Sequence, residues 1–366
     1  MKNLPSFAVL GAGAGGLATA AHLSLAGFKV NLFELSQFKE NIAPIERQGG
    51  VELSGVLKTD LAKLNKVTTD VNEAIAETDV VTIAVPAFGH NTIVEALAPH
   101  LHNGQIVVFN TGYFACLRFN EKLREKAKGI AIAETTLLAY LAKSTAPGRV
   151  NILGLKRTLP IAAFPSKDTG RVVEVMRKAY SQFVPAASVL EISFENINPM
   201  VHPAIALLNM GLLERMRPEE EFFFYKDGCT PLVGKVVEAL DRERLAVAKA
   251  LGLSIHSGIE WLSRYYGLKG ETVSEALQSG EAQRKFSWSP SVCFRYIRED
   301  VPYGLVPIAS FGDLLNVPTP STKAIVQLCS IVDGVDYWHE GTTVEKLRMA
   351  GLTPREIVDI ATEGRT

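Results

Sequence analysis

Three glycines near the start of the chain have the spacing that a bound pyrophosphate requires. Gly11, Gly13 and Gly16 stand between an apolar run, Phe7 to Leu10, and a stretch with helical character. Gly11 allows a tight turn out of a strand, Gly13 lets the backbone approach a phosphate, and Gly16 lets helix and strand pack closely. The free N–H groups and the positive dipole end of the helix then face the phosphates. The pattern predicts a dinucleotide site formed by Gly11, Gly13, Ala14, Gly15 and Gly16.

An acidic residue completes this stretch. Glu34 follows Gly16 by 18 residues, at the end of a second apolar run, Val30 to Phe33. A carboxylate at this place can accept hydrogen bonds from the adenine ribose and would repel a 2′-phosphate. We therefore favour NAD or NADH as the cofactor. Lys39 could reach a 2′-phosphate, so NADPH stays open.

Further apolar runs indicate the elements that would position these residues. They span 80–85, 105–109 and 130–133, with helical patterns between them. Such alternation is typical of an α/β fold with a Rossmann-type, doubly wound parallel sheet. In an open sheet the ligand lies at the carboxyl ends of the strands. We therefore expect Pro86 and Asn110 to contact the cofactor, and Thr135 and Thr136 to contact substrate unless they only cap a helix.

The pattern of apolar residues changes about half-way along the chain. Runs at 149–155 and 159–164 suggest that the sheet continues, and a helix around 172–183 would close the domain. Beyond it, apolar residues recur with a period of 3.6. The expected organisation is a dinucleotide-binding domain over residues 1–188, followed by an all-α domain over residues 189–366 that carries the substrate site.

Composition narrows the class of protein. The 366 residues are 47% hydrophobic and have a formal charge of −1, so no global field attracts nucleic acid or anionic lipid. No apolar stretch reaches the roughly 18 residues of a membrane span. The cysteines Cys116, Cys229, Cys293 and Cys329 lie far apart and form neither a metal pair nor a disulfide ladder. We expect a protein of the reducing cytoplasm.

Two segments of the second half resemble the octopine/nopaline dehydrogenase (opine dehydrogenase) family. They are Asn-Pro-x-x-His-Pro, at 198–203, and Glu-Asp-Val-Pro-x-Gly, at 299–304. The N-terminal glycines and the later Val-Pro-Thr-Pro at 317–320 extend the resemblance over nearly the whole chain. The two central motifs, in this order, are far more specific than the glycines.

The resemblance implies a catalytic pair, His202 and Asp300, and a substrate-holding arginine five residues before the aspartate, Arg295. The chemistry is sound on its own terms. Asn198 can cap a helix that begins at Pro199, which places His202 in the first turns of that helix. There the positive end of the helix dipole would disfavour an imidazolium. A carboxylate partner counters this effect and fixes the tautomer. Arg295 could instead be a surface arginine or pair with Glu299, and Arg298 is a weaker candidate.

The residues and the resemblance together predict a reductive condensation. An L-amino acid attacks a 2-oxo acid such as pyruvate, water leaves, and NADH reduces the imine. A simple 2-oxo acid or ketone reductase is the alternative, with Lys235 or Lys249 as the acid. A dinucleotide-binding protein without turnover is a third reading. A homodimer is possible, and the aromatic run 222–224 could line a side-chain pocket, pack between helices or form a dimer contact.

Overall fold

The structure is a computed structural model that describes residues 4–217, 219–288 and 290–364. It divides into two compact units, residues 4–192 with 361–364, and residues 193–360. The sequence placed the boundary slightly earlier, near residue 188, and assigned the end of the chain to the second domain. The last residues belong instead with the first unit, where Gly364 lies against Pro165. Helical periodicity carries no information about which unit a terminal helix joins.

The first unit contains two sheets. Its strands are β1 (Phe7–Leu10), β2 (Val30–Phe33), β3 (Val51–Gly55), β4 (Asp60–Ala62), β5 (Lys66–Thr68), β6 (Val80–Ile83), β7 (Ile106–Asn110), β8 (Ala131–Thr135), β9 (Tyr140–Ala146), β10 (Arg149–Leu155), β11 (Leu159–Phe164) and β12 (Phe183–Pro185). The larger sheet has the order β12-β11-β8-β7-β6-β1-β2-β5. Its pairs are parallel from β5 to β8, and β11 joins β8 antiparallel. The strand order reverses at β1 and β6, which is where such sheets bind ligands.

Helices cover both faces of this sheet. They are α1 (Ala14–Leu25), α2 (Ala43–Gln48), α3 (Val71–Ile75), α4 (His90–Leu97), α5 (Ala115–Arg124) and α6 (Thr169–Met176). Short 3₁₀ turns span Ser36–Asn41, Ala87–Gly89, Ala98–His100 and Ser166–Asp168. Helix α1 is rich in alanine and leucine, and seven of its twelve residues are buried. A helix that is apolar nearly all round is a buried helix, so the one that follows the glycine turn is held rigidly.

The smaller sheet corrects one prediction. Strand β10, at 149–155, does not extend the larger sheet but lies in a four-stranded sheet of order β4-β3-β10-β9. It pairs parallel with β3 and antiparallel with β9, and this sheet packs against α1. Only the run at 159–164 joins the larger sheet. An apolar run predicts a strand but not its pairing partner, which depends on residues far away in sequence.

The second unit is mainly helical. Its helices are α8 (Asn198–Arg215), α9 (Pro231–Ala250), α10 (Gly258–Tyr266), α11 (Val273–Ser279), α12 (Glu281–Arg284), α13 (Pro290–Asp300), α14 (Val306–Leu314), α15 (Pro320–Asp333) and α16 (Tyr337–Glu340), while α7 (Val189–Glu195) and α17 (Pro354–Glu363) cross the division. A π-helical turn, Val301–Leu305, joins α13 to α14. Two short strands, β13 (Phe222–Phe223) and β14 (Ser287–Trp288), pair antiparallel. This pair is an addition to the expected all-α domain.

The Val-Pro-Thr-Pro motif at 317–320 leads into helix α15. Helix α15 begins at Pro320, and its first N–H groups need acceptors. The carboxylate of Glu243, on α9, accepts hydrogen bonds from the backbone N–H groups of Ser321 and Thr322, each at 2.8 Å. A negative charge at a helix N-terminus is also electrostatically favourable. Glu243 therefore joins the start of α15, directly after the motif, to α9.

Candidate active site

At two positions of the glycine turn, neighbouring atoms of the protein leave no room for a side chain. Gly11 has a φ of +109°, and a Cβ there would lie 2.6 Å from Val85 Cγ1 and 2.9 Å from the carbonyl oxygen of Ala84. At Gly16 a Cβ would lie 1.8 Å from the Gly11 carbonyl oxygen. Both glycines are required for β1, β6 and α1 to come together.

Gly13 is different, because no neighbouring atom of the protein requires a glycine at this position. A Cβ at Gly13 would meet nothing within 4 Å. Gly13 precedes α1, which begins at Ala14 with no side-chain cap and no acid in its first turn. At Gly15 a Cβ would approach Leu138 Cδ1 to 2.5 Å. An uncapped helix N-terminus behind open space is the arrangement that a diphosphate fits, so the residues agree with the predicted dinucleotide site.

Glu34 is attached to this turn. It is 5% exposed, and its Oε2 accepts hydrogen bonds from the Ala12 N–H at 3.0 Å and from the Asn41 amide at 3.3 Å. Its Oε1 accepts the N–H of Leu35 at 2.9 Å. A carboxylate has about four acceptor positions, so a ribose hydroxyl could use the capacity that is left. Holding the turn in place is a task that sequence reasoning missed.

Pro86 and Asn110 lie at the carboxyl ends of β6 and β7, as predicted. Pro86 is half-buried and precedes the 3₁₀ turn that leads into α4. Asn110 is the last residue of β7, and its amide donates to the Thr82 hydroxyl on the neighbouring strand. The side-chain amide of Asn110 is thus engaged within the sheet, which the sequence did not indicate.

Thr135 and Thr136 are both 1% exposed, at and just after the end of β8. The Thr135 hydroxyl donates to the carbonyl oxygen of Leu137 at 3.0 Å and accepts the N–H of Thr111 at 3.3 Å. Thr135 therefore supports the loop after β7, where Thr111 has a φ of +71°. Among the described residues the buried Thr136 hydroxyl has no hydrogen-bond partner, which leaves it able to bind a ligand oxygen.

His90 is not at the surface of this site. The ring is fully buried at the start of α4, in contact with the rings of Phe109 and Phe119. Burial, reinforced by the Arg118 cation, lowers the pKa of His90 to about 3. His90 is therefore a neutral core residue.

In the second unit, helices α8 and α13 bring His202 and Asp300 together. The Nδ1 of His202 lies 2.9 Å from Asp300 Oδ2, although 98 residues separate them in sequence. His202 is 6% exposed and Asp300 is 1% exposed. Because a carboxylate only accepts hydrogen bonds, the proton of the neutral ring is on Nδ1 and the lone pair is on Nε2. The pair has the geometry of a general base with its orienting carboxylate.

The start of α8 differs from the predicted cap. Asn198 is the first residue of the helix rather than its cap, and its N–H donates to the side-chain oxygen of Asn196 at 3.0 Å. This Asx turn carries out the role that we assigned to Asn198. Pro199 follows in the first turn, and Pro203 lies inside the helix. The choice between two nearby asparagines depends on backbone angles that the sequence does not give.

Aromatic side chains surround His202, and of these the sequence had pointed only to Phe224, as part of the run 222–224. The ring of Tyr296 stacks on the imidazole, with centroids 4.1 Å apart and an interplanar angle of 22°. Phe224 meets it edge-on at 5.7 Å, and the Tyr225 hydroxyl lies 3.2 Å from Nε2. Tyr296 could have been found, because it precedes Asp300 by four residues on one helix face. Tyr225 could not, because it lies in a turn after β13.

The two arginines of α13 have different surroundings. Arg298 forms a bidentate ion pair with Asp333, at 2.7 and 2.8 Å, and Tyr337 donates to the same carboxylate. Arg295 is 53% exposed and reaches Glu299 only at 3.9 Å. Arg298 is therefore a structural residue, whereas the guanidinium of Arg295 is available for a carboxylate.

Comparison with known proteins decides the family. The chain is 35% identical to an opine dehydrogenase of Arthrobacter sp. (strain 1C) over 355 residues, 96% of this chain and 98% of that one. Residues 185–332 match the family described as NAD/NADP octopine/nopaline dehydrogenase, alpha-helical domain. The chain belongs to the octopine/nopaline dehydrogenase family. Residues 6–149 match the N-terminal domain of NAD-dependent glycerol-3-phosphate dehydrogenase, which agrees with a nucleotide-binding domain.

Solved structures of other dehydrogenases share this fold. Octopine dehydrogenase in complex with NADH and agmatine has a TM-score of 0.76 at 20% identity and covers 99% of this chain and 98% of its own. Yersinopine dehydrogenase with NADP⁺ bound has a TM-score of 0.68 at 15% identity, with 99% of each chain covered. The predicted family, fold class and NAD(P)-dependent oxidoreductase class are confirmed.

The structure also bears on two other expectations. Within the described ranges, no helix combines the length and the apolar character needed to cross a membrane. The alternative acids Lys235 and Lys249 are both exposed on α9, as an amphipathic helix predicts, and among the described residues neither side chain has a hydrogen bond or ion pair.

Proposed function

We propose that the chain is an opine dehydrogenase, which condenses an L-amino acid with a 2-oxo acid and reduces the product to an N-(1-carboxyalkyl) amino acid. The observation that carries the proposal is the buried His202–Asp300 pair, 2.9 Å apart, in a chain 35% identical to an opine dehydrogenase over nearly its full length. A simple ketone reductase forms no carbinolamine and expels no water. It therefore needs no general acid for these two steps. The His202–Asp300 pair is suited to both steps.

The chemistry requires protons to move at one oxygen. The neutral amine attacks the carbonyl carbon, and the carbonyl oxygen must be protonated as the carbinolamine forms and again as water leaves. His202, held by Asp300, supplies and recovers these protons, and the carboxylate stabilises the imidazolium. A bound reduced nicotinamide supplies the hydride that converts the imine to the secondary amine.

NAD(H) is the favoured cofactor, with NADPH possible. Gly13 and the uncapped N-terminus of α1 would hold the diphosphate. Glu34 keeps a negative charge beside the turn, which opposes a 2′-phosphate. Proteins that share this fold bind either cofactor, because octopine dehydrogenase is described with NADH and yersinopine dehydrogenase with NADP⁺.

Arg295 would hold the carboxylate of the 2-oxo acid. Its guanidinium is 53% exposed and weakly engaged, and a planar guanidinium binds a carboxylate through two hydrogen bonds. Thr136, with its unused buried hydroxyl, is the better of the two predicted threonines for a substrate hydrogen bond. Thr135 would act by supporting the neighbouring loop.

We further propose that the protein forms a homodimer in the cytoplasm. Helices α8 and α15 pack together and expose large apolar side chains, Leu208, Leu212, Leu328, Ile331 and Val332. Clustered apolar residues at a surface are typical of an interface. Among the described residues, Cys116, Cys229 and Cys329 take part in no disulfide, which suits a reducing compartment. Light scattering of the wild type and of Ile331→Glu measures the mass; a monomeric wild type would contradict the dimer.

The function is tested by product analysis. The purified protein is incubated with NADH, pyruvate and a mixture of L-amino acids, and products are identified by mass spectrometry. The proposal predicts N-(1-carboxyethyl) amino acids and NADH oxidation that depends on the amine. Reduction of pyruvate to lactate at the same rate without amine would contradict it and favour the simple reductase.

A further inference from the structure

The nitrogen of His202 that would exchange protons with substrate already has a partner. Tyr225 places its hydroxyl 3.2 Å from Nε2, on the side of the ring opposite to Asp300, which holds Nδ1 at 2.9 Å. The carboxylate, the imidazole and the phenol thus form a hydrogen-bonded chain within one structural unit. Neither the sequence motifs nor the family comparison assigns a function to the phenol.

The direction of each hydrogen bond follows from the chemistry of the groups. Asp300 accepts the Nδ1–H, so the neutral ring presents a lone pair at Nε2, and the Tyr225 O–H donates to it. When the ring is protonated, Nε2–H donates to the phenol oxygen instead. A hydroxyl serves in both states because it is a donor and an acceptor. Burial raises the pKa of Tyr225 well above its ordinary value, so the phenol keeps its proton.

Other side chains contact the imidazole of His202 on several sides, so rotating the ring away from Tyr225 would cost free energy. Tyr296 stacks on one face at 4.1 Å, and Phe224 packs edge-on at 5.7 Å. An imidazole nitrogen has one in-plane lone pair, and at Nε2 the phenol occupies it. A substrate oxygen must therefore displace Tyr225 or exchange its proton through it. His202 is 6% exposed and Tyr225 is a partly buried residue, so Tyr225 as a whole residue is the more exposed of the two.

We propose that Tyr225 is a catalytic proton relay between His202 and the oxygen of the 2-oxo acid or carbinolamine; this inference rests on the proposed function. In the direction of condensation, the Tyr225 O–H bond breaks as a new O–H bond forms on the substrate oxygen. The Nε2–H bond of the imidazolium breaks as its proton moves to the phenol oxygen, and the electron pair stays on Nε2. Tyr225 ends neutral, His202 ends neutral, and one proton has been transferred. Oxidation of the opine reverses each transfer.

The test is Tyr225→Phe, which removes one oxygen atom and keeps the ring contacts with Phe224 and Phe286. A relay contributes about 10²–10⁴-fold to the rate, so kcat/KM should fall at least about 100-fold while the affinity for NADH stays within about threefold. Tyr337→Phe is the matched control, because it removes a buried hydroxyl that bonds Asp333 rather than the histidine. Its kcat/KM should match that of the wild type.

A proton inventory in mixtures of H₂O and D₂O separates the relay from a merely structural role. Two protons in flight give the wild type a curved dependence of rate on deuterium fraction, and Tyr225→Phe should give a straight line. Activity of Tyr225→Phe within about threefold of the wild type, or above it, would overturn the relay. It would mean instead that the substrate displaces the Tyr225 hydroxyl from Nε2. A wild type without amine-dependent turnover would refute the proposed function itself.

Discussion

The imidazole of His202 and the carboxylate of Asp300 form a buried hydrogen bond of 2.9 Å that joins helix α8 to the last residue of α13. A π-helical turn begins directly after Asp300, at Val301, and contains Pro302. π-Helical segments occur often at functional sites. Because α13 ends at Asp300 and the π-helical turn follows directly, the packing of α8 against α13 fixes the position of the His202–Asp300 pair.

Arg295 and Arg298 should respond to alanine in opposite ways. Arg295→Ala should raise the KM for pyruvate about 10- to 100-fold, because a charge-assisted contact to a carboxylate contributes roughly 1.5–3 kcal/mol. Arg298→Ala should leave that KM unchanged and lower Tm, since it deprives the buried Asp333 of its ion pair. Steady-state kinetics and thermal unfolding of both variants check this. A raised KM in Arg298→Ala alone would reverse the assignment.

Gly13 and Gly16 offer a matched comparison for the cofactor site. Gly13→Ala should fold with the wild-type Tm, because its Cβ meets nothing within 4 Å, but should bind NADH at least about tenfold more weakly, since the methyl group enters the space of the diphosphate. Gly16→Ala should fail to fold, because its Cβ would lie 1.8 Å from a carbonyl oxygen. Circular dichroism and NADH fluorescence titration measure both. Unchanged NADH affinity in Gly13→Ala would place the cofactor elsewhere.

Glu34→Gln should shift the choice of cofactor. The amide removes the charge that repels a 2′-phosphate, so the ratio of kcat/KM with NADPH to kcat/KM with NADH should rise about tenfold. The variant should also lose stability, because it replaces a carboxylate oxygen that accepts N–H groups of the glycine turn. Kinetics with both cofactors give the ratio. If the ratio does not change, Glu34 serves only to hold the turn.

His90 should make the fold sensitive to acid. Its pKa is about 3 in the folded protein and about 6.5 when unfolded, so between these values the unfolded chain binds the extra proton. Stability is therefore full above pH 6.5 and falls by about 1.4 kcal/mol per pH unit as the pH drops toward 3. In His90→Leu this loss should be absent, a relative gain of about 3 kcal/mol from pH 7 to pH 4.

Urea unfolding at several pH values measures this difference. His102→Gln, at an exposed position, is the control and should follow the wild-type curve. Parallel curves for His90→Leu and the wild type would mean that another group carries the acid sensitivity.

The sequence predicted the parts of this structure that local patterns determine. Strands β1 and β2 were placed at their observed bounds, because a glycine turn between buried apolar runs leaves few alternatives. The pairing of β10 was wrong, because its partners β3 and β9 are chosen by a second sheet that no local signal marks.

For the site, motifs were more informative than chemistry alone. The resemblance selected His202 and Asp300, and the structure places them in hydrogen-bond contact. It did not indicate Tyr225, because contact with Nε2 depends on the path of a turn. Nor could spacing tell that Arg298 is taken by Asp333, on another helix, while Arg295 is not.

The most direct measurement is the turnover of His202→Ala with NADH, pyruvate and an amino acid that the wild type accepts, beside its affinity for NADH. Loss of the acid and base should lower kcat by at least about 10³-fold and leave the Kd for NADH within about threefold, because the predicted cofactor residues belong to the other unit. Turnover within about tenfold of the wild type, or NADH binding lost in parallel, would contradict the assignment of His202.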